Sequence, residues 1–222
     1  MPKITSVERQ KKNPKRFNIF IDGVFSFGAD GDLIVDHRLG VGKELLEEQI
    51  DKLLFEVEVG KLMERMYRLF NIRQRSEKEV RDYIRNLSFK RKVKDQDEIS
   101  QKALELLIQK LKQKRMLDDL EFAKSWVFSR RKNKNKGKIA LKQELFQKGI
   151  DREIIEEAIS LYSSALSEEQ LAQQALEKKL KPWKNLTGLG FKKKAYGLLL
   201  RKGFEYPIVK DVVEKELKKS YN

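Results

Sequence analysis

The 222-residue chain is 40% hydrophobic and 37% charged, carries a formal net charge of +15, and has four prolines, one histidine and no cysteine. Disulfides, thiolate metal sites and Cys–His dyads are thereby excluded, and a Ser–His–acid triad would depend on His37. The absence of cysteine fits a reducing compartment, Met-Pro-Lys-Ile-Thr is no signal core, and no window reaches the ~20 apolar residues of a membrane span, so a cytoplasmic protein with polyanionic partners is expected.

The first elements are β. Phe17–Ile21 alternates, Asp22-Gly23 follows, and Val24–Phe27 alternates again, the pattern of a hairpin closed by a two-residue turn. Ile4–Val7 supplies a third strand, with Lys11–Arg16 as the intervening turn, so residues 1 to about 28 are read as a β-meander. Leu33–Val35 opens a short helix ending near Gly40, and Glu44–Leu54 repeats apolar residues at the spacing of one buried helix face. From Val57 onward no strand-like alternation recurs.

A repeat occupies the rest. Leu145-Phe146-Gln147-Lys148-Gly149-Ile150 returns as Leu199-Leu200-Arg201-Lys202-Gly203-Phe204, a shift of 54 residues from Gly149 to Gly203. A weaker copy is Ile84–Phe89, with Ser88 at the glycine position. Upstream, Val80, Leu141 and Ala195 correspond. Downstream, Ile154, Ile155, Ala158 and Ile159 match Ile208, Val209, Val212 and Val213, and Ile99, Ala103 and Leu104 fit the same pattern. The first copy then holds six extra residues, Lys90–Asp95, between its helices. Each glycine is read as a left-handed helix terminus, and Ser76–Glu79, Asp118–Glu121 and Ser167–Gln170 as helix-opening caps. The expected fold is mainly α: three tandem three-helix repeats forming an elongated curved rod, preceded by the small β-meander. The divisions are 1–57 for the N-terminal segment, then 58–116, 117–165 and 166–222 for the repeats.

The densest basic segment is Arg130, Arg131, Lys132, Lys134, Lys136, Lys138 and Lys142, with no acid between its ends. Cations near a helix C-terminus answer its dipole, but that accounts for about two of the seven. The remainder would repel one another unless a polyanion or an acidic partner were near, so a binding role is expected. Arg73 and Arg75 are further candidates, and Lys90–Lys94 and Lys192–Lys194 weaker ones, better read as solvated charge. If these loops share one edge of the rod, they make a continuous positive track. Trp126 and Trp183 are expected to pack, the latter between repeats, and His37 to lie on the surface. Asp118, Asp119 and Glu121 suit a helix N-terminus better than a metal nuclease. No catalytic residue, metal site, cofactor or phosphate-cradling loop is expected.

These residues resemble a known family. Leu117-Asp118-Asp119-Leu120-Glu121-Phe122-Ala123-Lys124-Ser125-Trp126-Val127, followed by Arg130-Arg131, Lys136-Gly137-Lys138-Ile139 and Lys148-Gly149-Ile150, is similar to the central motif of RecX, the bacterial regulator of the RecA recombinase. Arg75–Val80 resembles its first-repeat pattern, and Tyr196, Leu199 and Arg201–Phe204 its third. The resemblance covers residues from about 60 to 219. It departs at Leu120, at Leu87-Ser88-Phe89, which lacks the usual glycine, and in the six-residue insertion. The resemblance implies a non-enzymatic protein that binds the groove of the RecA–DNA filament and mainly inhibits its ATPase and strand exchange. It thereby implies a place in homologous recombination, DNA repair and the SOS response. Single-stranded and double-stranded DNA are the expected further partners, and a monomer the expected state. The alternative is a general nucleic-acid-binding helical repeat without RecA dependence; a nuclease is a third, less favoured reading.

Overall fold

The structure is a computed structural model and describes residues 1–163, 167–183 and 185–220. The chain forms two compact units: Met1–Gln74 with Ile84–Met116, and Arg75–Tyr83 with Leu117–Asn222.

The first unit opens with an antiparallel sheet of order β1-β2-β3, formed by β1 (Ile4–Arg9), β2 (Arg16–Ile21) and β3 (Val24–Asp30). Asp22 and Gly23 both take positive φ, 50° and 82°, which gives the expected turn the twist that flanking strands need. One face of the sheet buries Ile4, Ile19, Phe27 and Ala29 against Leu39, Leu45, Leu53 and Val57. Helix α1 (Gly31–Asp36) is capped by Asp30, whose carboxylate accepts from the Leu33 amide. Helix α2 (Glu47–Phe70) starts after Leu45, which is buried but precedes the helix, while Leu46 and Leu54 are exposed. The single amphipathic face expected over Glu44–Leu54 is therefore a non-helical anchor followed by a helix. Helix α2 also runs unbroken through residue 57, where the N-terminal segment was expected to end. His37 is half-buried rather than superficial, its Nε2 2.7 Å from Glu56 Oε2.

Helix α3 (Glu77–Lys92) gives its N-terminal part to the second unit and the rest to the first, where α4 (Gln101–Gln113) follows. The six extra residues do not all lie between helices: α3 continues through Lys92, and its end is capped at Asp95, with φ 58°. There the Gln96 amide donates to Arg91 O (3.1 Å) and the Asp95 amide to Lys92 O (3.1 Å), a Schellman closure. The glycine-equivalent position is Asp95, not Ser88.

The second unit holds α5 (Asp119–Lys134), α6 (Lys138–Gln147), α7 (Arg152–Ser163), α8 (Glu168–Leu180), α9 (Gly188–Arg201) and α10 (Tyr206–Ser220). The boundary expected between residues 165 and 166 lies outside the described residues. Asp118 caps α5, and Ser167 with Gln170 forms a capping box on α8. Gly149 (φ 78°) and Gly203 (φ 84°) end α6 and α9 in the same Schellman closure: Ile150 N to Leu145 O at 3.1 Å and Phe204 N to Leu199 O at 3.2 Å. Corresponding positions are buried alike. Leu141, Leu145, Ile150, Ile155, Ala158 and Ile159 pack with Phe122, Ala123 and Val127. Ala195, Leu199, Phe204, Val209, Val212 and Val213 pack with Leu171, Ala172, Ala175 and Leu176. Trp183 packs on this latter core, 6.2 Å edge-on from Phe191, rather than between repeats.

Each Lys-Gly turn also receives the start of an earlier helix. Ser76 Oγ donates to Lys148 O (2.7 Å) and Lys78 Nζ to Gln147 O (2.9 Å), so the free carbonyls of the α6 terminus are met by the start of α3. The Gly137 amide donates to Lys202 O (2.9 Å) and the Ile139 amide to Gly203 O (3.0 Å), so the α9 terminus is met by the start of α6.

Candidate polyanion site

Helix α5 ends at Asn135, which adopts the left-handed conformation (φ 45°) and is buried; Asn tolerates this region because of its short polar side chain. Asn135 Nδ2 donates to Gln174 Oε1 (3.1 Å), and its Oδ1 accepts from Lys178 Nζ (2.6 Å). The α5–α6 link is thereby tied to the last turns of α8. Lys202, at the C-cap of α9, donates from Nζ to the Lys134 carbonyl. The end of α5, the α5–α6 link and the ends of α8 and α9 thus bring Lys134, Lys136, Lys178, Lys179 and Lys202 near one another. Burial pushes the Lys202 amine below the ordinary lysine pKa, and the charges of Lys136, Lys178, Lys134 and Lys179 lower it further. Helix C-termini attract cations by about 0.3–1 kcal/mol each, yet at Lys202 burial and mutual repulsion prevail. A bound polyanion would relieve that repulsion.

The seven cations expected to bind divide into two classes. Arg130 Nε donates to Glu144 Oε2 (2.8 Å), and its guanidinium lies over the Trp126 ring, 4.2 Å from the centroid. Arg131 is buried and pairs with Glu168 at 2.7 Å. Lys136 reaches Glu144 at 3.4 Å, and Lys142 pairs with Glu156. Acids outside the segment therefore neutralise much of it, and the expected repulsion among all seven is corrected to repulsion among a few. Lys132 lies over the Phe128 ring at 5.5 Å and Lys134 is exposed; neither side chain makes an ion pair among the described residues. Lys138 is half-buried, and its amide donates to Glu168 Oε2 (3.1 Å). Arg73 belongs to the first unit and bonds the Gln74 carbonyl (2.8 Å), whereas Arg75 belongs to the second. Of the weaker candidates, Arg91 pairs with Glu58 (2.6 Å) and Lys92 with Glu98 (2.7 Å).

Glu144 organises the paired class. Burial raises its pKa, but the Trp126 Nε1–H bond (2.9 Å) and the charge of Arg130 outweigh burial and hold the carboxyl below its ordinary range. Trp126, stacked on Phe122 at 5.7 Å, is a packing residue as expected. Lys178, Lys179, Lys202 and Asn135 were missed by sequence reasoning. Asn135 alone left a signal, an Asn just past a helix and two residues before Gly137.

The acids Asp118, Asp119 and Glu121 are engaged locally. Asp118 caps α5, Asp119 Oδ1 accepts from the Glu77 amide (2.9 Å), and Glu121 pairs with Lys124 (2.8 Å). Among the described residues no group of three His, Asp or Glu side chains is placed to hold a metal ion, and no helix is long and apolar enough to cross a membrane.

Residues 2–46 match the regulatory protein RecX N-terminal domain, residues 118–159 the RecX second three-helix domain, and residues 167–213 the RecX third three-helix domain. The β-meander therefore falls within the likeness, which extends beyond the expected residues 60 to 219. The regulatory protein RecX of Bacillus pumilus is 35% identical over 100% of this chain and 79% of its own length. That of Bacillus subtilis is 35% identical over 94% and 75%. A crystal structure of regulatory protein RecX superposes with a TM-score of 0.73 at 25% identity, covering 96% of this chain and 100% of that one. RecX from Lactobacillus salivarius gives 0.59 at 26% identity, covering 72% and 96%. With a relative this similar along the whole of this chain and 79% of its own length, the chain belongs to the RecX family of regulatory proteins.

Proposed function

We propose that this protein binds the RecA–DNA filament and modulates it, mainly by inhibiting ATP hydrolysis and strand exchange, and that it does so as a cytoplasmic monomer without chemistry of its own. Family membership supports the partner. The observation that carries the DNA contribution is the lysine cluster around Lys202, whose Nζ reaches the Lys134 carbonyl while Lys178 Nζ holds Asn135, and whose amine is lowered by the charges of Lys136, Lys178, Lys134 and Lys179. Within the expected basic segment, Lys132, Lys134 and Lys138 are the cations left to contact phosphate, while Arg130, Arg131 and Lys142 first hold the fold. Regulation in recombination, DNA repair and the SOS response follows from that partner.

The test is a titration of RecA ATPase on single-stranded DNA. Inhibition at protein levels far below those that coat the DNA is expected. Inhibition only at saturation of the DNA would favour a general nucleic-acid-binding repeat that competes for the strand.

A further inference from the structure

A groove between α9 and α10, enclosing about 440 Å³, lies within the second unit and takes no part in the lysine cluster. Two tyrosines line it. Tyr196 and Tyr206 sit 5.9 Å apart between ring centroids, tilted by 53°. Tyr206 is 59% exposed, and Leu189, which also lines the groove, is 82% exposed. Lys192, Lys193 and Lys210 line the same groove, with Glu214 its one lining acid. Lys192 Nζ stands 5.9 Å from the Tyr196 centroid, and none of the three lysines makes an ion pair among the described residues. Lys192 and Lys193 belong to the run that the sequence marks as solvated charge.

We infer that this groove is a stacking site for single-stranded nucleic acid, with a base laid on the Tyr206 ring and the adjoining phosphates held by Lys192, Lys193 and Lys210. The inference rests on the proposal that DNA contributes to binding, and names a second contact point for it. The composition of the groove selects the ligand. An acidic polypeptide would satisfy the lysines but offer nothing flat to the ring. A base-paired strand would satisfy the lysines and keep its bases stacked within the duplex. An unpaired strand carries a planar base and an anion in every unit, and stacking accepts any base because each has a π-face.

The test is fluorescence anisotropy of the full chain with labelled oligothymidylate and with an abasic phosphodiester oligomer of equal length. The wild type is expected to bind the abasic strand about ten-fold more weakly. Tyr206→Ala is expected to lose about ten-fold on oligothymidylate and nothing on the abasic strand. Tyr206→Phe keeps the ring and retains affinity. Circular dichroism should show both variants folded, since the ring is largely exposed. If Tyr206→Ala binds oligothymidylate as the wild type does, or if Ala and Phe weaken binding equally, the stacking site is refuted. Tighter binding of polyglutamate than of oligothymidylate refutes it too. Equal wild-type affinity for the two oligomers defeats the stacking site while leaving the lysine cluster as a phosphate site. Failure to bind either oligomer defeats both.

Discussion

Gly149 and Gly203 answer two demands at once, and only one is written in the sequence. A glycine following a helix and preceding an apolar residue signals a left-handed terminus, and both have the positive φ that this requires. The second demand is a close approach. A Cβ on Gly203 would run into the backbone of Ala140, and one on Gly149 would lie 2.6 Å from Lys78 Cβ. Gly23 has positive φ as well, but a Cβ there meets nothing within 4 Å. Gly23→Ala should therefore cost about 1 kcal/mol, the left-handed strain alone. Gly203→Ala should cost about 3 kcal/mol, since overpacking against a fixed backbone adds to that strain. Urea denaturation of the two variants checks this; equal losses would mean that the Ala140 contact relaxes freely.

The elements themselves were largely legible, because their signals are local. The Asp22-Gly23 hairpin and the caps at Ser76, Asp118 and Ser167 form as the sequence indicates. The misreading in the first helical triplet has a physical cause. Nothing in Ile84–Phe89 states that α3 runs on to Lys92, because the charged run from Lys90 continues a helix as readily as it makes a loop. The left-handed φ that glycine supplies at Gly149 and Gly203 is met here by Asp95, at 58°. Aspartate at this position carries left-handed strain of about 1 kcal/mol and places negative charge at the negative end of a helix. Asp95→Gly should stabilise the protein by about 1 kcal/mol, and Asp95→Ala, which keeps the Cβ, by less. Denaturation midpoints decide it, and equal midpoints for Gly and Ala would show that φ is not what costs.

Charge is the property of the whole molecule that the sequence states most plainly and locates least well. A net charge of +15 leads the sequence to be read as that of a polyanion binder, but which cations remain available depends on acids brought from far along the chain. Glu144 takes Arg130, and Glu168 takes Arg131 across 37 positions. The four lysines around Lys202 come from the end of α5, the α5–α6 link and the end of α8, which no linear window joins to Lys202. These two classes should separate in the salt dependence of binding. Each phosphate contact to a single strand contributes about 0.7 to the slope of log K against log salt. Replacing Lys134, Lys179 and Lys202 with Gln should therefore lower that slope by about 2 for oligothymidylate, with little change in thermal stability because relief of mutual repulsion offsets the lost Lys202 bond to the Lys134 carbonyl. Replacing Arg131 with Gln should do the reverse: the slope stays, while leaving Glu168 with the Lys138 amide but without its charged partner costs about 3 kcal/mol. An anisotropy series from low to moderate salt, set beside melting curves of the same variants, measures both. An unchanged slope in the triple-lysine variant would remove the cluster from the interface and return the binding role to the Arg130–Lys142 segment.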